Sequence, residues 1–341
     1  MNEAASKLVC AVCGQLAQGA PERARVVSNV RRLGAEEFEV WRCSACRSIH
    51  AAGAVSDAEL AAYYQDYPFA RGKRSRVTRY LHGRLWRRVA RVGISGHAKV
   101  LDYGCGAGLL VADLCERGLD ATGYDAYTPA FQRPALLQQR YDVVLAQDVL
   151  EHVEDPLALL ETLGALCRPG GVLAIGTPDA SAIDLARPSR WKHSLHQPFH
   201  RHLLASPALL AAGAARGWRL LRYYPRSYAN TPMPTLNLPY LLRYLRAVDD
   251  TIDVAFDPPA VRLAMFSPAA LWDALFGALR CPASPARPAA AARLAPAQAT
   301  PWGRSHSRPS RPSRPSRPPR PSRSSPAARA SRGLRRTTSE A

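Results

Sequence analysis

The chain of 341 residues contains no uncharged apolar run of the roughly 18 residues that a bilayer-spanning helix requires. Its start lacks the basic stretch followed by an apolar segment that marks a secretory leader. These two absences predict a cytoplasmic protein without a transmembrane segment. Acidic residues are scarce, with 27 Asp and Glu against 46 Lys and Arg, a net charge of +19. The scarcity is local: residues 281–341 hold 13 Arg, no Lys and one acid, Glu340, and so carry +12 of the +19. The first 280 residues are only mildly basic, and the charge is mostly a property of the C-terminal stretch. That stretch has no aromatic residue except Trp302, and from Arg308 it repeats Arg-Pro-Ser, with Arg308, Arg311, Arg314, Arg317, Arg320 and Arg323 at every third position. Proline at this density excludes helix and central strand, so 281–341 is expected to be a disordered Arg/Pro/Ser-rich tail. It reads either as an electrostatic arm toward nucleic acid or an anionic membrane, or as a solvated extension with no task.

The eight cysteines lack the oxidising setting of a disulfide framework. Four of them form two C-x-x-C pairs, Cys10 with Cys13 and Cys43 with Cys46. Each such turn can point two sulfurs at one ion, and Gly14 suits a tight knuckle. The two pairs resemble a zinc ribbon over residues 1–50, with Ala24–Asn29 and Glu37–Arg42 as a hairpin between them. Redox disulfides are the alternative. A closed four-thiolate site leaves no position for substrate, so its expected role is structural.

The most informative segment is Val100 to Leu110, VLDYGCGAGLL. A buried strand meets Asp102, a glycine turn follows at Gly104, Gly106 and Gly108, and an apolar helix begins. Glycine allows a ligand to approach the backbone, and a helix start offers unpaired N–H groups to an anion. The dinucleotide fingerprint G-x-G-x-x-G is absent, because Leu109 or Val111 stands where a small residue is needed. Asp125 ends a second expected strand 21 positions after Gly104, where a carboxylate can accept two hydrogen bonds from ribose hydroxyls. Further blocks follow at Tyr141–Pro156, with Gln147, Asp148, Glu151 and His152, and at Leu166–Pro178, with a Pro-Gly-Gly turn.

These four blocks, in order over roughly 95–225, resemble the class I S-adenosylmethionine (SAM) methyltransferases. The D-V-L-E-H-V block resembles the branch that contains ubiquinone-biosynthesis-type O-methyltransferases. The resemblance implies an α/β fold with a Rossmann-like, mostly parallel sheet and helices on both faces. It implies SAM held by Asp102, Gly104, Cys105, Gly106, Gly108, Asp125, Gln147 and Asp148. One departure stands out. The fifteen or so residues between Asp125 and Tyr141 include Pro129 and Pro134, too little for a full crossover, so the third strand is expected to be abbreviated or missing.

The remaining chain is expected to comprise a helical linker at 51–94 and a substrate cap at 226–280. The linker includes a capping box, Ser56 with Glu59, and a basic amphipathic helix at 77–92 with Val77, Leu81, Leu85, Trp86 and Val89 near one face. Between Arg190 and Trp218 crowd His193, His196, His200 and His202. If the acceptor is a hydroxyl, a histidine base helps take its proton, and His152 and His200 are the candidates. In quinone-type relatives the acidic-His block has been linked to a divalent ion, which Asp148, Glu151 and His152 could hold. The expected function is methyl transfer to a small-molecule acceptor, a hydroxyl of a glycan, lipid-linked or quinone-like compound. Two alternatives remain open: an RNA methyltransferase using the zinc module, and a non-catalytic scaffold. Against RNA, neither an Asn-Pro-Pro-aromatic tetrad nor a cysteine stands directly after Ala146.

Overall fold

The computed structural model describes residues 8–17, 19–34, 36–53, 55–65, 73–94, 96–260, 262–280 and 289–294. The N-terminal part supplies three short strands: β1 (Arg23–Val27), β2 (Glu37–Arg42) and β3 (Ile49–Ala51). Helices α1 (Asp57–Gln65) and α2 (Arg76–Ala90) follow. The Ser56–Glu59 capping box forms as expected: Ser56 N donates to Glu59 Oε2 at 2.8 Å and Glu59 N to Ser56 Oγ at 3.3 Å. Ser75 caps α2 by accepting from Thr78 N. Helix α2 buries Gly83, Leu85 and Val89, whereas Val77, in its first turn, faces outward. Part of its basic side is engaged by protein: Arg84 and Arg88 donate to the carbonyls of Arg226, Ser227, Tyr228 and Asn230.

The α/β core then runs β4 (Lys99–Tyr103), α3 (Leu109–Cys115), β5 (Asp120–Tyr124), β6 (Tyr141–Gln147), α4 (Pro156–Leu166) and β7 (Cys167–Gly176). Next come α5 (Lys192–Leu195), β8 (His202–Leu203), α6 (Ser206–Ala215), β9 (Trp218–Tyr224), α7 (Leu238–Val248), α8 (Pro268–Arg280) and β10 (Ala289–Leu294). The main sheet has the order β5-β4-β6-β7-β10-β9, with the first four strands parallel and β10 antiparallel to both its neighbours. Strand β6 is buried along Val143–Ala146, as a strand covered on both faces requires. On one face Val100, Val143 and Leu145 pack against Leu85 and Val89 of α2 and Leu110 and Leu114 of α3. On the other, Leu101, Val144, Leu173 and Ile175 pack against α4 and α6 through Leu159, Leu160, Leu163 and Leu209.

The third crossover is missing. Between β5 and β6 the described chain makes only two 3-10 turns, Pro129–Phe131 and Pro134–Gln138, each opened by its proline. A second difference concerns the expected tail. Residues 289–294, inside the stretch expected to be disordered, form β10. Residues 289–294 carry no proline, so their N–H groups can join a ladder, and they fill the place between β7 and β9. The rest of 281–341 lies outside the described residues.

The N-terminal strands do not close a sheet among themselves. The small sheet has the order β1-β2-β3-β8, and β8 comes from the loop after β7, pairing Ile49 with Leu203 and His50 with His202. Buried Arg42 donates to the carbonyls of Ala180 and Ile183, Ser28 Oγ to Gln197 O, and Ser48 Oγ accepts from Ala205 N. The cysteine segment and the histidine-rich loop therefore share one sheet and one set of buried polar contacts.

Candidate functional site

The glycine turn leaves β4 at its carboxyl end, where open α/β sheets hold ligands. Its three glycines all have positive φ, but for different reasons. A Cβ on Gly104 would lie 2.3 Å from Val149 Cγ2, and one on Gly108 would lie 2.2 Å from Phe131 Cζ. These two glycines are required by packing inside the protein. Gly106, with φ +52°, would meet nothing within 4 Å, so it is the member of the turn that faces open space.

Two carboxylates frame the turn. Asp102 is buried, and that burial, with repulsion from Asp125 adding to it, lifts its carboxyl to about 7. Asp125 Oδ2 accepts from Gly106 N at 2.9 Å, and Oδ1 accepts from Tyr127 N and Thr128 N at 2.9 and 2.8 Å. Three of the roughly four acceptor positions of a carboxylate are thus taken by its own loops. One more bond fits the Asp125 carboxylate readily, fewer than the two expected from a ribose diol. Burial and both carboxylates push the Cys105 thiol up to about 12, so it is a packed neighbour of Gly123 and not a nucleophile.

Gln147 is turned into the sheet. Its Nε2 donates to the carbonyls of Ala146 and Ala174, and its Oε1 fills the space beside Gly176. Asp148 follows in a left-handed conformation, φ 56°, with its N–H on Gly176 O at 2.7 Å. That turn presses Val149 onto Gly104 and begins the loop that carries Glu151 and His152.

The structure brings both candidate bases together. The rings of His152 and His200 lie 4.8 Å apart, edge to face. His152 Nδ1 is 3.0 Å from Phe199 O, and His200 Nδ1 is 2.8 Å from Ser194 O. A carbonyl only accepts, so each Nδ1 donates its proton there, and Nε2 is the nitrogen through which either ring can act as a base. His200 is buried, with Nε2 3.9 Å from Glu151 Oε1, while Glu151 Oε2 accepts from Thr177 Oγ1 at 3.0 Å. Half-buried His152 is the more accessible base. Ligand atoms of Glu151, His152 and His200 fall within 4.8 Å of one another; the trio that could hold a cation includes His200 where the sequence suggested Asp148.

Tyr64 of α1 was not singled out by sequence. Its Oη is 2.8 Å from His152 Nδ1, its ring stacks on Tyr127 at 5.0 Å, and it meets Phe199 edge-on at 5.3 Å. It therefore touches both the Asp125 loop and the histidine pair. Asn29 was missed as well. It joins His196 Nδ1 at 2.7 Å and His193 Nδ1 at 3.1 Å, and His193 reaches Asp250 at 2.8 Å. A paired tyrosine in the linker was a faint signal for the first; nothing in sequence marks the second.

The four expected metal-binding cysteines converge. Their sulfurs lie within 4.8 Å of one another, with Cys10 3.5 Å from Cys46 and Cys13 3.6 Å from Cys43. A tetrahedral zinc with bonds of about 2.3 Å sets sulfurs about 3.8 Å apart, so this set fits the ion. Behind it, His50 Nε2 is 3.1 Å from Cys10 Sγ and His50 Nδ1 is 3.0 Å from His202 Nδ1; His202 Nε2 reaches Glu154 O at 2.9 Å.

A methyltransferase domain family matches residues 77–223. The chain is 32% identical over 114 residues to a ubiquinone biosynthesis O-methyltransferase of Psychrobacter cryohalolentis, covering 26% of this chain and 44% of that protein. It is 34% identical over 101 residues to the enzyme of the same name from Aeromonas salmonicida, covering 23% and 42%. The chain thus spans less than half the length of these curated relatives. A SAM-dependent methyltransferase from Archaeoglobus fulgidus is similar in structure, with 17% identity, a TM-score of 0.41 and coverage of 68% of this chain and 99% of that one. Residues 77–223, the stretch that matches a methyltransferase domain family, contain both the glycine turn and the acid after β5.

Proposed function

We propose that the protein is a SAM-dependent methyltransferase acting on a hydroxyl of a small molecule, of quinone-like, lipid-linked or glycan type. The observation that carries this reading is Tyr64, which contacts the Asp125 loop on one side and His152 on the other. A cofactor loop and a candidate base thereby meet at one residue. Bound SAM supplies a methyl group already activated by a sulfonium charge. The open space over Gly106, the Asp125 carboxylate and buried Asp102 suit a ligand that combines ribose with cationic groups. Gly104, Gly108, Gln147 and Asp148 shape the turn, and Cys105 packs beneath it.

His152 takes the acceptor proton on Nε2, while Phe199 O and Tyr64 hold its ring. Buried His200 and Glu151 position His152 from behind. Cys10, Cys13, Cys43 and Cys46 hold a structural zinc that keeps β3 beside β8. The segment 226–280 covers the acceptor.

The test is calorimetric titration of SAM and its demethylated product into the full chain, followed by assay against phenolic and polyprenyl-linked hydroxyl acceptors. Asp125→Ala is expected to weaken SAM binding tenfold or more. His152→Ala is expected to leave SAM binding intact and to lower kcat about 100-fold or more. Saturation by neither ligand would refute the reading.

A further inference from the structure

Helix α8 is built inside out. The residues it turns toward the protein are small: Ala270, Ala274 and Gly277, at helical spacing. A Cβ on Gly277 would stand 2.5 Å from Asn237 Oδ1, and Asn237 Nδ2 donates to the carbonyls of Asp273 and Ala274. Helix α8 thus lies close against the start of α7, which the small residues permit. The large apolar residues point the other way. Leu271, Trp272, Leu275, Phe276 and Leu279, with Leu263 and Phe266 of the preceding turn, are 41 to 88% exposed. The one charged residue between Leu263 and Leu279, Asp273, is held by Arg243 at 2.8 Å and is half-buried. Seven large apolar side chains within 17 positions form a face that a soluble monomer rarely leaves to water.

The chemistry of the partner is written in the sequence that follows. Of the 13 Arg in residues 281–341, 11 lie beyond β10, against a single acid, Glu340. An apolar face joined to a polybasic segment is the two-signal combination that holds peripheral proteins on anionic bilayers. Nucleic acid would be met by cations among the exposed side chains, and residues 263–279 carry none. A second copy would bring two +12 segments together, which repel each other. No helix among the described residues is long and apolar enough to cross a membrane, so the contact lies on the surface.

We infer that the outward face of α8 and its preceding turn seats on an anionic phospholipid surface, with the arginines that follow β10 supplying the attraction. The inference is independent of the methyl-transfer reading.

The test is co-sedimentation of the full chain with vesicles of phosphatidylcholine alone and with vesicles containing about one part in three phosphatidylglycerol. Binding to the anionic vesicles is expected to exceed binding to neutral ones tenfold or more, and to fall as salt rises. The double variant Leu275→Glu/Phe276→Glu is expected to reduce the anionic partition at least tenfold with circular dichroism and Tm unchanged, because both side chains point outward. Equal binding to the two vesicle types, no binding to either, or full binding by the double variant would overturn the inference. So would a dimer in sedimentation equilibrium that the double variant dissolves and anionic vesicles do not displace.

Discussion

Gly104 and Gly106 stand two residues apart in one turn, and their replacement by alanine separates folding from ligand binding. At Gly104 an alanine pays twice. Its φ of +78° costs an L-residue about 1–2 kcal/mol. Its Cβ also falls 2.3 Å from Val149 Cγ2, where about 3.5–4.0 Å is comfortable. Val149 is stiff at χ1 and seated on the strained Asp148 turn, so the clash adds about 1–3 kcal/mol. The sum, about 2–5 kcal/mol, is a large part of the stability of an ordinary domain. At Gly106 an alanine keeps the N–H that Asp125 accepts and meets no atom within 4 Å. It costs about 1 kcal/mol through φ alone, partly offset by a stiffer unfolded chain. Its methyl group, however, stands in the space assigned to the ligand. Urea titration is therefore expected to show Gly104→Ala strongly destabilised and Gly106→Ala nearly as stable as the parent. Calorimetry is expected to show SAM binding by Gly106→Ala reduced by about tenfold or more, about 1.4 kcal/mol. If Gly106→Ala binds SAM as the parent does, the open side of the turn does not face the ligand and the site assignment fails.

Other consequences are equally direct. Asp102, lifted to about 7, holds its proton better in the folded than in the unfolded protein, so this stabilisation is fully present below about pH 4 and is lost as pH rises through 7. A cationic ligand beside it favours the ionised form, so SAM affinity is expected to rise between about pH 6 and pH 8, with proton release visible by calorimetry in buffers of different ionisation enthalpy; a flat profile refutes the contact. A chain ended at residue 298 is expected to melt within a few degrees of the full protein, whereas one ended at 280 loses β10, leaves β7 and β9 with open edges and aggregates, which size-exclusion chromatography will show. Chelation of zinc, or Cys43→Ser, is expected to lower Tm by about 10 °C or more and to expose the loop of His200 to proteolysis; an unchanged cleavage pattern would separate the two sites.

Much of the site was legible because its chemistry is local in sequence. The strand-turn-helix of Val100–Leu110, the acid at Asp125 and the paired cysteines each declare themselves within a few residues. The shortened crossover was legible too, since Pro129 and Pro134 leave no room for helix and strand. What sequence concealed depends on distant partners. Gln147 read as a ligand contact, but its amide is consumed by Ala146 and Ala174 carbonyls across a strand boundary. Residues 289–294 read as tail, because four alanines carry no periodic signal and their strand state is imposed by the two edges they join. The pairing of His50 with His202 is a tertiary fact with no local signature.

That last pairing also bears on the order in which the molecule can be made. The strand that completes the cysteine-bearing sheet stands 154 positions after its partner, Leu203 against Ile49. At ordinary translation speeds the ribosome needs roughly 8–30 s to deliver it. Through that interval β3 is an edge with unpaired amides and carbonyls, and the buried guanidinium of Arg42 has no Ala180 or Ile183 carbonyl to meet. The cysteine-bearing strands are therefore made well before the strand that completes their sheet, and a thiolate-bound ion that holds the two knuckles together is most valuable to a nascent chain that must wait.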